Sequence, residues 1–99
     1  MVSKKVRIID STGLHLRPAS VFCQTAMKFK SKISFKHKDT IANAKSILSV
    51  LGACVKSNEE IEIVCEGEDE NEALDALVLA AEMGFVKYDE ENTPKEANE

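Results

Sequence analysis

The sequence predicts an α+β fold of order βαββαβα, in which a four-stranded antiparallel sheet carries its helices on one face. Two observations support this prediction. Residues 31–38 and 60–67 alternate between apolar and polar side chains, as strands with one buried face do. Residues 16–28 and 70–86 instead repeat their apolar side chains every three or four positions, as amphipathic helices do. Packing these elements together buries every apolar surface and leaves the other face of the sheet in water.

The first half of the chain begins with a predicted strand at residues 4–9. The turn sequence "DSTG" leads into a helix over residues 16–28, with Pro18 in the first turn, where a missing backbone N–H does no harm. The stretch "SKISFKHK" predicts a second strand, and residues 40–44 predict a short third strand returning beside it. The inward side chains of the second strand are Ile33, Phe35 and His37.

The second half begins with a two-turn helix over "SILSVLGA", with Ser46 as its N-cap. The strand "EIEIVCEG" follows, and Asn58 before it suits a left-handed turn. The final helix at residues 70–86 buries Ala73, Leu74, Leu77, Ala80 and Ala81. Four acids crowd its start, where the positive end of the helix dipole stabilises them.

The chain has 99 residues, enough for one domain with one modest core. We expect this domain to cover residues 1–87 and an acidic, flexible tail to cover residues 88–99, where the periodicity ends. No apolar run approaches the roughly 18 residues that span a bilayer, and the N-terminus lacks the apolar core of a signal peptide. We therefore expect a cytoplasmic protein without membrane insertion.

Charge is distributed unevenly along the chain. Residues 1–58 carry a net charge of +9 and residues 59–99 one of −13. The overall pI of about 5.2 argues against a nucleic-acid partner. A basic first half would suit an acidic protein partner, provided that folding gathers its cations on one face.

The three cysteines lack the spacing of a zinc site or a disulfide framework. Each lies among apolar neighbours, which favours buried free thiols at Cys23, Cys54 and Cys65. His37 has no second ligand nearby in sequence, so a structural role is favoured for it. We expect neither a metal nor a cofactor.

The stretch "GLHLRPAS" places His15 and Arg17 at the start of the first helix. A phosphate attached to the imidazole would meet the unpaired N–H groups of residues 16 and 17 and the positive end of the helix dipole. Arg17 would add a charge-assisted contact. The spacing thus suits a phosphate site built around a nucleophile, although capping or surface roles are the commoner use of such residues.

Three segments carry a family resemblance: "GLHLRPAS", "NAKSILSVLG" and "GEDENEALDALV". Over roughly residues 4–86 the chain closely resembles the HPr family, the histidine-containing phosphocarriers of the phosphoenolpyruvate-dependent sugar phosphotransferase system. The resemblance implies an open-faced β-sandwich with three helices on one face. It also implies a monomeric phosphoryl carrier rather than a stand-alone enzyme.

The resemblance assigns roles to individual residues. His15 matches the phosphoacceptor, modified on Nδ1 by phospho-enzyme I and discharged to sugar-specific IIA proteins or domains. Arg17 matches the residue that stabilises the phosphohistidine. Ser46 matches a regulatory site modified in many bacteria by HPr kinase/phosphorylase, which would bring in a catabolite-control regulator as a further partner. The residues matching the docking patch are Leu16, Ser20, Ile47, Leu48 and Leu51.

Alternatives remain open. Ser46 is also simply a good N-cap, and each docking residue is nearly as well suited to the core. Leu16, Ser49, Cys54 and Asn58 depart from residues common in the family. A regulatory paralogue serving nitrogen or catabolite control would share the histidine site. An acylphosphatase-like hydrolase lacks support because "DSTGLHLRPA" does not match its glycine-rich phosphate loop, and five aromatic residues suit an RNA-binding sheet poorly.

Overall fold

The computed structural model describes residues 1–85, and its elements follow the predicted order βαββαβα. The strands are β1 (Val2–Arg7), β2 (Lys32–His37), β3 (Thr40–Asn43) and β4 (Glu60–Glu66). The helices are α1 (Leu16–Met27), α2 (Ile47–Gly52) and α3 (Glu70–Glu82). The tail predicted at residues 88–99 and the domain boundary at residue 87 lie outside the described residues.

The strands form one antiparallel sheet in the order β1-β4-β2-β3. The register places Phe35 of β2 opposite Ile63 of β4 on one side and Ala42 of β3 on the other. All three side chains are buried, because the helices cover this face. The structure confirms the predicted open-faced α+β sandwich with three helices.

Phe22 of α1 lies at the centre of the core and is fully buried. Its ring lies 5.3 Å from that of Phe35 and 4.8 Å from that of Phe85. These ring contacts join the helical layer to the sheet and to the segment after α3. Phe22 therefore fixes the first helix, whose N-terminus carries the candidate site, against the rest of the domain.

Helix α3 ends four residues earlier than predicted. Gly84 adopts a left-handed conformation with φ +73°, and the chain then turns back on itself. The Phe85 N–H donates to the Ala80 carbonyl (2.7 Å) and the Gly84 N–H to the Ala81 carbonyl (3.0 Å), which is a Schellman ending. The reversal directs the Phe85 side chain into the core.

Strand β1 also ends earlier than the predicted residue 9. Ile8 remains buried and exchanges backbone hydrogen bonds with Glu59 (2.9 Å) and Asn58 (2.7 Å). Asn58 has the predicted left-handed conformation, with φ +68°, and this bend ends the regular pairing with β4. Ile9 is consequently exposed.

Some cations of the first half lie beside acids of the second half in the sheet. Strand β4 lies between β1 and β2, so its acids are placed beside their bases. Glu62 pairs with Lys5 on one side and Lys36 on the other, and Glu66 pairs with Lys32. These three lysines, of the eleven cations of residues 1–58, are thus placed opposite acids within the sheet.

The expectation of three buried thiols is wrong for two of them. Cys65 is buried, whereas Cys23 is half-buried and Cys54 is exposed. Cys54 follows the last turn of α2 with φ +54°, a left-handed conformation that turns its side chain outward. Burial raises the pKa of Cys65 to about 11, so its thiol is neutral at pH 7.

Candidate functional site

His15 is the N-cap residue of α1, with extended backbone angles of φ −84° and ψ −171°. The first helical hydrogen bond is donated by the Ala19 N–H to the His15 carbonyl (2.9 Å). The amides of Leu16 and Arg17 precede this bond, and Pro18 has no N–H to compete with them. The His15 side chain makes no capping bond and is 47% exposed, so the ring is accessible next to two helical N–H groups.

The turn before His15 is fixed against the loop that follows α2. Gly13 has φ +73°, and a Cβ atom at this residue would lie 2.4 Å from the Val55 carbonyl oxygen. The Leu14 N–H donates to that same oxygen (2.9 Å), and the Leu14 side chain is buried. A glycine is therefore required here, and the buried leucine holds the chain so that the next side chain points outward.

Asp10 lies on the opposite side of this turn and faces the imidazole. Its Oδ1 atom lies 3.5 Å from His15 Nε2 and accepts hydrogen bonds from the Thr12 N–H (3.0 Å) and the Thr12 hydroxyl (2.8 Å). These bonds, the backbone one first, lower the pKa of Asp10 below its usual value. Sequence reasoning missed this residue; an acid followed two residues later by threonine is the local signal of such an Asx turn.

A shallow groove surrounds the ring. Within residues 1–85, the only fixed charges that line this groove are those of Asp10, which precedes His15 in the chain, and Arg17, which follows it. Its lining residues come from the turn, the first half of α1 and the end of the described chain: Asp10, His15, Leu16, Arg17, Pro18, Ser20, Val21, Gln24, Gly84 and Phe85. The structure thus brings His15, Arg17, Leu16 and Ser20 together around one depression.

Four of the five predicted docking residues divide into two groups, and the fifth, Ser20, lines the groove around His15. Leu16 and Leu48 are outward-facing, with 63% and 79% of their surface exposed. Ile47 and Leu51 are half-buried and pack against the core. Helices α1 and α2 pack against each other, and each carries an exposed leucine, Leu16 on α1 and Leu48 on α2.

Ser46 is the N-cap of α2, as predicted. Its hydroxyl oxygen accepts a hydrogen bond from the Ser49 N–H (3.3 Å), and the residue is half-buried. Ser49 in turn accepts a bond from the Asn43 N–H (2.8 Å), which joins the helix to β3. Ser49, which stands where glycine is common in the family, therefore has a structural role here.

His37 is buried and structural, as the sequence favoured. Its Nδ1 lies 2.9 Å from the Ala53 carbonyl oxygen and its Nε2 lies 2.8 Å from Glu59 Oε1. The ring therefore joins the end of β2 to the end of α2 and to the loop before β4. It takes no part in the groove around His15.

The fold and the groove define a small α+β domain that presents one accessible histidine at a helix N-terminus. Residues 2–82 match the family model described as the PTS HPr component phosphorylation site. The chain belongs to the HPr family of phosphotransferase-system phosphocarriers, a family that includes proteins of catabolite repression.

Individual relatives support this assignment. The phosphocarrier protein HPr of Lysinibacillus sphaericus is 39% identical and aligns over 88% of this chain and 100% of its own. The crystal structure of an HPr from Thermoanaerobacter tengcongensis superposes with a TM-score of 0.83 at 40% identity, covering 86% of this chain and 96% of that one. The crystal structure of Crh from Bacillus subtilis, described as a catabolite repression protein and a swapped dimer, has a TM-score of 0.69 at 34% identity over 88% of this chain and 100% of that one.

Within residues 1–85, the structure has no helix that is long and apolar enough to cross a bilayer.

Proposed function

We propose that this protein is a phosphoryl carrier that accepts a phosphoryl group on Nδ1 of His15 from phospho-enzyme I and passes it to sugar-specific IIA proteins or domains. The observation that carries the proposal is the position of His15. An accessible imidazole occupies the N-cap of α1, beside the two amides that precede the first helical hydrogen bond. Such amides bind phosphate oxygens without a metal.

In the proposed transfer, the Nδ1 lone pair attacks phosphorus while the bond between phosphorus and the donor breaks. The Leu16 and Arg17 amides and the Arg17 guanidinium neutralise the phosphoryl charge. Discharge is the same reaction in reverse, with the acceptor on the IIA protein as the attacking group. Positioning and charge therefore carry the reaction in both directions.

The proposed docking surface for enzyme I and IIA partners consists of Leu16, Ser20, Ile47, Leu48 and Leu51. The exposure of Leu16 and Leu48 supports it, because apolar side chains this open gain most from being covered by a partner. Ile47 and Leu51 would contribute their exposed edges while remaining anchored in the core. We further propose that the protein acts as a cytoplasmic monomer.

We also propose that Ser46 is a regulatory phosphorylation site for an HPr kinase/phosphorylase, with a catabolite-control regulator as reader. A phosphate at this N-cap would meet the free amides at the start of α2. It would add a charge of about −1.5 to −2 next to the exposed Leu48. Acidic partners of the docking surface would then bind less well.

Phosphorylation with purified enzyme I and radiolabelled phosphoenolpyruvate tests the carrier proposal. The wild type and Ser46→Ala should take up an acid-labile label, and His15→Gln should take up none. A further incubation with a IIA protein should remove the label from the carrier. Equal labelling of His15→Gln and the wild type would refute the proposal.

A second function is favoured by the similarity to Crh: a regulatory paralogue that reports to catabolite or nitrogen control. Such a paralogue would share the histidine site, accept phosphate there and report it to regulatory proteins instead of passing it to a IIA protein. The same labelling experiment separates the two. A regulatory paralogue would be labelled on His15 by phospho-enzyme I but would keep that label on incubation with a IIA protein, whereas the sugar carrier would lose it.

A further inference from the structure

We propose that Asp10 is a positioning residue for phosphoryl transfer, whose carboxylate keeps the imidazole proton of His15 on Nε2 and so presents an unprotonated Nδ1 as the nucleophile. This inference rests on the proposed function and adds to it the residue that selects the reacting nitrogen.

The carboxylate is fixed in place before any partner binds. Oδ1 accepts from the Thr12 N–H at 3.0 Å and from the Thr12 hydroxyl at 2.8 Å, and the same oxygen lies 3.5 Å from His15 Nε2. The Asp10 carbonyl also accepts from the Gly13 N–H (3.0 Å), which closes the turn. The side chain is 27% exposed, against 47% for His15. The acid is therefore less solvated than the ring it faces.

This arrangement distinguishes the two neutral forms of the ring. An ionised carboxylate only accepts hydrogen bonds, and the two bonds from Thr12 favour the ionised form. A ring with its proton on Nδ1 would direct the Nε2 lone pair at Oδ1, which is repulsive. A ring with its proton on Nε2 directs an N–H at Oδ1 instead, and its lone pair is then on Nδ1.

The same tautomer serves both directions of transfer. When Nδ1 forms its bond to phosphorus and the donor's bond breaks, the ring keeps its Nε2 proton and becomes cationic, with Asp10 as the counter-charge. When the acceptor attacks, the electron pair of the P–N bond returns to Nδ1 and a neutral imidazole leaves. No proton has to be delivered or removed in either step, which suits a carrier that must load and unload readily.

The groove around the ring, as the described residues form it, is lined by two fixed charges. Asp10 and Arg17 are the fixed charges that line its groove. Arg17 carries the charge that a phosphoryl group requires, and Asp10 carries the charge that the protonated Nε2 requires. Of these two charges, the structure places that of Asp10 next to Nε2.

Ring tautomers in ¹⁵N-labelled protein test the inference without any phosphorylation. Two-bond ¹H–¹⁵N couplings, recorded at a pH where the ring is neutral, should show protonation mainly on Nε2 in the wild type. Asp10→Asn should lower the ratio of the Nε2–H to the Nδ1–H form severalfold. Asp39→Asn, which removes the same charge in the turn between β2 and β3, should leave the ratio unchanged. An equal ratio in Asp10→Asn and the wild type would overturn the inference.

Transfer kinetics provide the second readout. Asp10→Asn should slow labelling by phospho-enzyme I about tenfold and shift the acid limb of phosphohistidine hydrolysis to lower pH, and Asp10→Glu should restore part of the rate. A changed tautomer ratio with an unchanged rate and pH profile would contradict the role in transfer. If the wild type itself is not labelled, the proposed function fails, whereas the couplings still decide the tautomer.

Discussion

Nε2 of His37 lies 2.8 Å from Oε1 of Glu59, and Nδ1 of the same ring lies 2.9 Å from the Ala53 carbonyl oxygen. The Glu59 carboxylate and the Ala53 carbonyl are both hydrogen-bond acceptors, so the ring lies between two acceptors. The same Glu59 oxygen accepts from the Lys56 N–H (2.8 Å), and its other oxygen lies 3.2 Å from Lys38 Nζ. One carboxylate therefore joins the end of β2 to the loop that supports the His15 turn.

The bonds to Glu59 predict acid sensitivity. The hydrogen bonds from Lys56, His37 and Lys38 lower the pKa of Glu59 from 4.5 to about 2. A carboxyl group whose pKa is lower in the folded than in the unfolded protein stabilises the fold when it is ionised in both states. The stabilisation by Glu59 is therefore complete above about pH 4.5, the pKa in the unfolded chain, and is lost as the pH falls through about 2, the pKa in the folded protein. In urea titrations at several pH values, Glu59→Gln should be less stable than the wild type at pH 6, and the difference should shrink toward pH 2.

Glu60→Gln is the matched control for this prediction. It removes the same charge from the adjacent exposed residue, which lacks these bonds, so its stability should follow that of the wild type. A Glu59→Gln deficit that stays constant from pH 6 to pH 2 would show that the carboxylate charge has no part in the effect.

The left-handed conformation of Cys54 predicts a stabilising substitution. A non-glycine residue with φ +54° costs about 1 kcal/mol relative to glycine, since its Cβ approaches the following carbonyl oxygen. Cys54→Gly should therefore raise the free energy of unfolding by about 1 kcal/mol. Cys54→Ala keeps the Cβ atom and should leave the free energy of unfolding nearly unchanged. An equal gain in both variants would show that loss of the thiol, and not relief of the backbone conformation, causes the effect.

The buried position of Phe85 predicts that the stability of the core depends on this side chain, which follows the last helix. The ring is 2% exposed and stacks on Phe22, so Phe85→Ala should lower the free energy of unfolding by about 3–5 kcal/mol. Leu79→Ala removes a side chain that is 56% exposed on the preceding helix α3 and should cost less than about 1 kcal/mol. Similar losses for the two variants in urea unfolding would contradict the described end of α3.

Arg17 is expected to affect the phosphorylated form more than the free protein. Arg17→Ala should slow phosphoryl uptake from enzyme I by about tenfold or more, since a charge-assisted contact to phosphate contributes about 1.5–3 kcal/mol. Arg17→Lys keeps the positive charge but lacks the planar guanidinium group, so its rate of phosphoryl uptake should lie between those of Arg17→Ala and the wild type. The thermal unfolding midpoint of the unphosphorylated variants should match that of the wild type. An unchanged rate of phosphoryl uptake in Arg17→Ala would show that Arg17 does not contribute to the phosphate site.

The local signals in the sequence were sufficient for the elements and for the two helix starts. Alternation identified the inward residues of β2, Pro18 marked the first turn of α1, and Ser46 was identified as the N-cap of α2. These features depend on neighbours within one turn of chain, which a sequence displays directly.

Features that depend on contacts across the fold could not be predicted in this way. The approach of Asp10 to His15 needs the geometry of the Gly13 turn, and the burial of Phe85 needs the reversal at Gly84. The mixing of charges likewise depends on β4 lying between β1 and β2. Each follows from tertiary placement rather than from periodicity.

The most direct measurement of the central claim is the ³¹P and ¹⁵N spectrum of ¹⁵N-histidine-labelled protein after phosphorylation by enzyme I and phosphoenolpyruvate. A single phosphoramidate signal coupled to Nδ1 of His15, with Nε2 still protonated, is the expected result. Phosphate coupled to Nε2, on His37, or on no histidine at all would contradict the proposed carrier site.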